Sequence, residues 1–211
     1  MKRTVLIAAT AALALTASAC STGSSKTASA GSSTTSSAAA PTSTSAPGAS
    51  PNAPEVNPSG DIPDNQVFVA FSPPSGGFSV KVPEGWARVE AGGAVTFTDK
   101  LNSIQMETTS ASAAPTVQSA QQNELPAIKA SATNFQAGKV SSVNRKAGAA
   151  VLITYSADSP PDPVTGKVVH DAVERYEFWN AGTEVILTLS GPQGADNVDP
   201  WRIVTDSFGW Q

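Results

Sequence analysis

A long polar stretch near the amino terminus restricts the folded part of the chain to the residues that follow it. Residues 20–63 consist almost entirely of Ser, Thr, Ala, Gly and Pro, with no aromatic side chain and no large aliphatic one before Val56. Such a segment cannot bury enough apolar surface to offset the entropy lost on ordering it. The composition therefore predicts a disordered tether over 20–63 and a single globular domain over 64–211. As a flexible coil of ~40 residues, the tether would span roughly 35 Å.

The residues before the tether have the pattern of an export signal. Lys2 and Arg3 precede an apolar run from Val5 to Leu15 that only Thr10 interrupts. A membrane-spanning helix needs ~20 apolar residues, so this run is too short to be one. A basic start, a short apolar run and small residues after it predict a signal peptide over 1–19.

Cys20 is the only cysteine in the chain, and it directly follows Ala17-Ser18-Ala19. Small residues ending in cysteine are similar to the bacterial lipobox, in which the thiol is acylated before cleavage, although Ala17 stands where leucine is usual. An A-x-A sequence also suits an ordinary signal peptidase, which would release a soluble secreted protein. A lone exported thiol has no partner for an internal disulfide, which favours lipidation. We therefore expect a cell-membrane lipoprotein, anchored by palmitate-type acyl chains at Cys20 on the extracytoplasmic face.

The charge of the chain argues against nucleic acid as a partner. Removal of residues 1–19 would lower the formal net charge from −4 to −6, because Lys2 and Arg3 are lost. Phosphate backbones require clustered Lys and Arg, and the only adjacent basic pair after Lys26 is Arg145-Lys146. Membrane attachment is accordingly expected to depend on the acyl chains at Cys20. Other partners are expected to be envelope proteins or lipids. The oligomeric state is left open.

Hydrophobic alternation and turn residues predict an α+β fold. The runs that alternate as strands lie at 66–72, 78–82, 87–90, 95–98, 104–108, 139–144, 149–156, 168–179 and 183–190. Residues 117–130 have helical composition, with a kink or break at Pro126 and with Asn123 as a possible cap. A closing helix begins near Asp199-Pro200 and places Trp201, Val204 and Phe208 on one face. Tight turns between successive strands indicate an antiparallel sheet flanked by helices.

The order of these segments resembles a known fold. Phe78-Ser-Val-Lys-Val-Pro-Glu-Gly-Trp86, Val95-Thr-Phe-Thr98, the central helix, the long hairpin and the terminal helix are similar to the PsbP-like fold. With the export segment, the arrangement resembles the LpqN-type lipoproteins of mycobacteria and related actinobacteria. This resemblance implies an αβα sandwich without enzymatic activity that acts in the cell envelope by binding partners or lipids. It supplies no active-site residues.

The sequence offers little for catalysis or metal binding. His170 is the only histidine, and its neighbour Asp171 must point to the opposite face of a strand, so the two cannot belong to one triad. Nucleophile-elbow, zinc-protease and P-loop motifs do not occur. Asp158, Asp162 and Asp171 could surround a calcium ion, but their irregular spacing favours a solvated loop. We therefore expect no enzyme, no cofactor and no metal.

Three functions remain, and the tryptophans bear on two of them. Trp86 and Trp210 stand at the ends of elements, where each could line a cleft or an interface, whereas packing is the simpler interpretation. An interaction module in the envelope is the favoured function. A carrier of a lipid or small apolar ligand, held between helix and sheet, is the alternative. A hydrolase is the least supported, because the sequence shows no pair of base and nucleophile.

Overall fold

The computed structural model describes residues 58–99 and 101–211, and within them the fold is α+β, as the sequence predicts. Ten strands, three α-helices and one π-helical turn follow one another along the described residues. The strands are β1 (Phe68–Phe71), β2 (Phe78–Pro83), β3 (Ala87–Ala91), β4 (Ala94–Asp99), β5 (Asn102–Ser110), β6 (Gln136–Arg145), β7 (Gly148–Asp158), β8 (His170–Asn180), β9 (Thr183–Pro192) and β10 (Gly209–Trp210). The helices are α1 (Val117–Ser119), α2 (Leu125–Ser131), joined to α1 by a π-turn (Ala120–Glu124), and α3 (Val198–Ser207).

Seven strands form one antiparallel sheet in the order β3-β4-β5-β9-β8-β7-β6. The register pairs Leu152 with Tyr176 and Tyr176 with Leu187, so their side chains share one face. Ile153 pairs with Arg175 on the other face. The predicted central position of residues 149–156 is confirmed, because β7 is paired on both sides and carries buried side chains on both faces.

One face of this sheet, called here the α3 face, carries the main hydrophobic core. It is covered by α3 and by a small antiparallel sheet of order β1-β2-β10. Phe208 stacks between Phe178 and Phe78, with ring centroids 4.2 Å and 5.4 Å away. Trp201 and Val204 are buried beside Phe208, as the helical spacing predicted. These aromatic rings fill the space between α3 and the sheet.

The opposite face, called here the α2 face, has a smaller core. Ala120 from the π-turn is buried against Val151 and Ile153, and Leu125 and Ile128 pack around them half-buried. The predicted interruption of this helix occurs one turn earlier than Pro126, as a π-turn that ends at Glu124. Pro126 lies in the first turn of α2 and has no N–H to donate to the preceding helical turn.

A buried polar cluster joins the start of the domain to α3. The Asn197 side chain accepts from the Ile62 N–H at 2.8 Å and donates to the Gly60 carbonyl at 2.9 Å and to Asn102 at 3.0 Å. Asn197 directly precedes α3, and Asp199, near which the sequence predicted the start of this helix, lies in its first turn. Ile62, which the sequence assigned to the tether, is buried in the main core.

Within residues 58–99 and 101–211, none of the helices is both long and apolar enough to cross a membrane.

Candidate functional site

The residues singled out from the sequence have different outcomes. Cys20 lies outside the described residues. Trp86 is half-buried and packs against the main core just before β3, and Trp210 is half-buried in β10 with its ring edge-on to Phe208 at 5.1 Å. Neither tryptophan lines the three clefts described next. Trp86 and Trp210 therefore remain predictions for an interface.

The most apolar of these clefts lies between the β1–β2 loop and the β3–β4 hairpin. Its volume is about 570 Å³, and core side chains of Phe78, Val95 and Met106 form part of its lining. Gly92 and Gly93 form the hairpin turn at its side, both with positive φ. The remaining lining residues are Pro73, Pro74, Ser75, Glu90, Ala91, Ala94 and Thr108. A volume of several hundred Å³, mainly apolar walls and a few polar groups are typical of binding sites.

A second cleft brings together basic residues that are scattered in the sequence. It has a volume of about 820 Å³, and Lys81, Lys146 and Arg202 contribute to it from β2, the β6–β7 turn and α3. The sequence predicted that anionic groups gain little from the protein surface, because the basic residues are scattered along the chain. The packing of α3 against β2 brings three of them together, and the sequence gives no local signal for that contact.

The third cleft borders a hydrogen-bonded Ser–His–Asp chain that sequence reasoning missed. His170 Nδ1 is 2.8 Å from Asp158 Oδ1, and His170 Nε2 is 3.1 Å from Ser156 Oγ. The reason is register: Asp158 pairs with His170 across β7 and β8, and Ser156 lies two residues back on the same face. Asp171 lies on the other face, as predicted, but the inference that the chain has no base beside a nucleophile is wrong. The cleft holds about 360 Å³, and Ser156 and Trp201 contribute to its lining.

The charge of Asp158 and the exposure of Ser156 decide whether the hydrogen-bonded Ser–His–Asp chain can act in catalysis. Hydrogen bonds from His170 and Asn134 keep the pKa of Asp158 below its ordinary value, so this carboxylate is ionised at neutral pH. The ionised Asp158 accepts from His170 Nδ1, and Ser156 Oγ lies within hydrogen-bond distance of His170 Nε2. However, Ser156 is only 9% exposed and lies within a strand that is paired on both sides. The neighbouring peptide N–H groups thus belong to the sheet, whereas acyl transfer needs free donors facing an oxyanion.

A buried ion pair on the α2 face contains a carboxyl group with a strongly raised pKa. Glu177 is 1% exposed, and its Oε1 accepts from Arg175 Nε at 3.2 Å while its Oε2 has no partner. Burial raises the pKa of Glu177 to about 7, and Arg175 opposes that rise. Burial also raises the pKa of Asp171 to about 6. Both groups are buried within the sheet, so we assign their shifts to folding and not to a reaction.

Metal ligands are not gathered in the described residues. No group of three or more His, Cys, Asp or Glu side chains in residues 58–99 and 101–211 is placed to hold a metal ion. Asp162 instead accepts from the N–H groups of Val164 and Thr165 within its own loop. Asp158 and Asp171 point to opposite faces of the sheet, so the three carboxylates considered for calcium do not converge.

Comparison with solved structures identifies the fold. Cyanobacterial PsbP (CyanoP) from Synechocystis sp. PCC 6803 superposes with a TM-score of 0.50 at 15% sequence identity, over 72% of this chain and 98% of that one. At this identity the likeness shows the fold alone. The domain has a PsbP-like fold, as the sequence predicts.

Two further structures are similar at lower scores. LpqN of Mycobacterium tuberculosis, which is described as involved in cell envelope biogenesis, has a TM-score of 0.41 at 14% identity, over 70% of this chain and 86% of that one. A protein from Bacteroides thetaiotaomicron VPI-5482 has a TM-score of 0.46 at 15% identity, over 67% of this chain but 48% of its own length. No protein-family model matches the chain, and no curated protein matches it by sequence.

Proposed function

We propose that this protein is a cell-envelope lipoprotein of the LpqN type whose extracytoplasmic domain is a non-enzymatic binding module. Its membrane anchor is the acylated thiol of Cys20, which follows three small residues and an apolar run. Two or three acyl chains give durable attachment, whereas one chain gives only marginal binding. The tether of ~40 residues lets the domain search roughly 35 Å around its anchor.

The apolar cleft beside the β3–β4 hairpin is the observation that carries the binding role. Phe78, Val95 and Met106 make its wall continuous with the core, while Ala91 and Ala94 leave room above it. Methionine adapts to different partners because its side chain is unbranched and polarisable. This cleft fits apolar side chains presented by another envelope protein.

The surroundings of Ser156 are those of a structural group and not of a catalytic nucleophile. This serine is nine-tenths buried, and the adjoining peptide groups belong to the sheet ladder. In α/β-hydrolases the nucleophile instead stands on a sharp turn with N–H donors free to face the oxyanion. We therefore assign Ser156, Asp158 and His170 to fixing the base of the loop between β7 and β8.

The alternative function, a carrier of a lipid or small apolar ligand, is favoured by the same apolar lining. The sequence predicted that such a ligand would lie between helix and sheet. That space is occupied by the stacked rings of Phe78, Phe178 and Phe208. A carried ligand would have to occupy the open cleft. Native mass spectrometry of residues 20–211 carrying Cys20→Ser, after exposure to envelope lipid extract, separates the two functions. A stoichiometric adduct favours the carrier, and a clean protein mass favours the interaction module.

Fractionation of cells tests the anchor. We expect Cys20→Ala to remove the acylation site and to shift the protein from the membrane to the soluble fraction or to an unprocessed precursor. Ser21→Ala, next to it in the chain, is the matched control and should stay in the membrane. A Cys20→Ala protein that is processed normally and still remains in the membrane would refute lipid anchoring.

A further inference from the structure

The basic cleft along α3 has a charge pattern suited to an anion. Lys81 and Lys146 line it and make no ion pair within residues 58–99 and 101–211. Asp206, which also lines it, is 3.7 Å from Arg145 and 3.5 Å from Arg202, so its charge is already shared by two guanidinium groups. The lining thus carries three positive charges, on Lys81, Lys146 and Arg202, against two negative ones, whereas the chain as a whole carries a net charge of −4.

Helix electrostatics do not account for this excess. The carboxyl end of α3, at Ser207, carries a partial negative charge of about half a unit, which attracts cations. Half a charge together with Asp199 and Asp206 still leaves the lining positive, and the excess lies at Lys81 and Lys146, which make no ion pair in the described residues. An anionic group between Lys81 and Lys146 would meet this positive charge.

The frame of the cleft is fixed by hydrogen bonds. The Lys81 backbone N–H donates to Ser207 Oγ at 2.7 Å, which holds β2 against the end of α3. Arg145 donates to Thr205 Oγ1 at 3.0 Å and to the Tyr176 hydroxyl at 2.7 Å, which fixes the start of the turn that carries Lys146. A site whose backbone is already held loses less entropy when a ligand binds.

The cleft also has apolar lining residues beside its charged ones. Ile203 lines the cleft and remains 45% exposed, and Phe208 forms part of its base. A purely ionic ligand would make no use of Ile203. Lysine binds phosphate as a compact point charge with three donors. We propose that this cleft binds a phosphate-bearing anion with a short apolar portion, the phosphate between Lys81 and Lys146 and the apolar portion against Ile203.

Titration by NMR of residues 20–211 carrying Cys20→Ser tests this proposal, which does not depend on the function proposed for the apolar cleft. The two probes are glycerol 3-phosphate and dihexanoyl phosphatidate, which share a phosphate and differ in apolar content. The test variant is the double substitution Lys81→Gln and Lys146→Gln. Its matched control is Lys129→Gln and Lys167→Gln, which changes net charge equally at exposed positions outside the cleft.

Saturable shifts of resonances in the cleft are expected with dihexanoyl phosphatidate. The test variant should bind about tenfold more weakly or worse, the control variant should bind like the parent, and Asp199→Asn should bind more tightly because a repelling charge is removed. Tighter binding of phosphatidate than of glycerol 3-phosphate would identify a lipid headgroup as the source. Equal binding would support the anion site but overturn the apolar contact with Ile203. Absence of saturable shifts with both probes, or equal weakening in both double variants, would overturn the site itself.

Discussion

The two faces of the seven-stranded sheet are stabilised in different ways. On the α3 face, the ring of Phe208 stacks between those of Phe178 and Phe78, where α3 and the small sheet cover the large sheet. On the α2 face, a small core at Ile153 adjoins the ion pair of Arg175 with Glu177. Apolar stacking contributes in proportion to buried area, whereas a buried carboxylate loses hydration that its partner only partly replaces. The first face therefore provides most of the stability, and the second responds to pH.

Removal of one ring from the stack should have the largest effect. We expect Phe208→Ala to lower the free energy of unfolding by about 3–5 kcal/mol, because it leaves a cavity between two fully buried rings. Ile128→Ala on the α2 face should lower it by about 1 kcal/mol, because Ile128 is only half-buried. Chemical denaturation of residues 20–211 carrying Cys20→Ser measures both. Equal losses from the two substitutions would contradict the difference between the faces.

Neutralisation of Glu177 should stabilise the protein in a pH-dependent way. Its pKa is about 7 in the folded state, above the ordinary value of 4.5, so between these values the folded protein binds a proton that the unfolded chain releases. The contribution of Glu177 to stability therefore declines as pH rises from 4.5 through 7. We expect Glu177→Gln to raise the free energy of unfolding by about 1–2 kcal/mol at pH 8 and to leave it nearly unchanged at pH 4.

The control for this substitution is Glu84→Gln at an exposed turn, which should change stability by less than about 0.5 kcal/mol at either pH. If Glu177→Gln destabilised the protein at pH 8, the ion pair with Arg175 would outweigh the cost of burying the carboxylate, and the explanation for the α2 face would be wrong.

The smallest effect is expected at the edge of the α3 face, where Ser156 meets His170. Ser156→Ala removes one hydrogen bond at 3.1 Å, and we expect the free energy of unfolding to fall by about 1 kcal/mol or less. Because the chain from Ser156 to Asp158 is assigned a structural role, labelling by a fluorophosphonate probe should be absent in the parent protein. Stoichiometric labelling that Ser156→Ala abolishes would reinstate the hydrolase.

Much of the fold follows from local sequence. Alternation placed the strands of the large sheet, and the spacing of Trp201, Val204 and Phe208 gave the buried side of α3. The two-residue strand β10 was missed, because Gly209 and Trp210 are too few to show alternation and form a strand only by pairing with β2. Asn197 was also missed, since its role depends on Gly60 and Asn102, far away in the sequence.

The candidate sites were less predictable than the fold. Ser156, Asp158 and His170 meet because the loop between β7 and β8 returns His170 opposite Asp158, and loop length alone does not fix that register. Lys81, Lys146 and Arg202 meet because α3 packs against β2, a tertiary contact without a local signal. Cys20 and most of the tether lie outside the described residues, so they remain predictions from composition alone.

The central claim, that the domain binds an envelope partner through its apolar cleft, is tested most directly by site-specific photo-crosslinking in intact cells. A photoreactive residue is placed at Ala91, which lines the cleft, or at Ala87, four residues earlier on the same exposed strand β3 and outside the cleft lining. We predict one discrete protein adduct from position 91 that Ala94→Trp, which fills the cleft, abolishes, and a much weaker adduct or none from position 87. Equal adducts from both positions, or an adduct from position 91 that persists with Ala94→Trp, would contradict the claim.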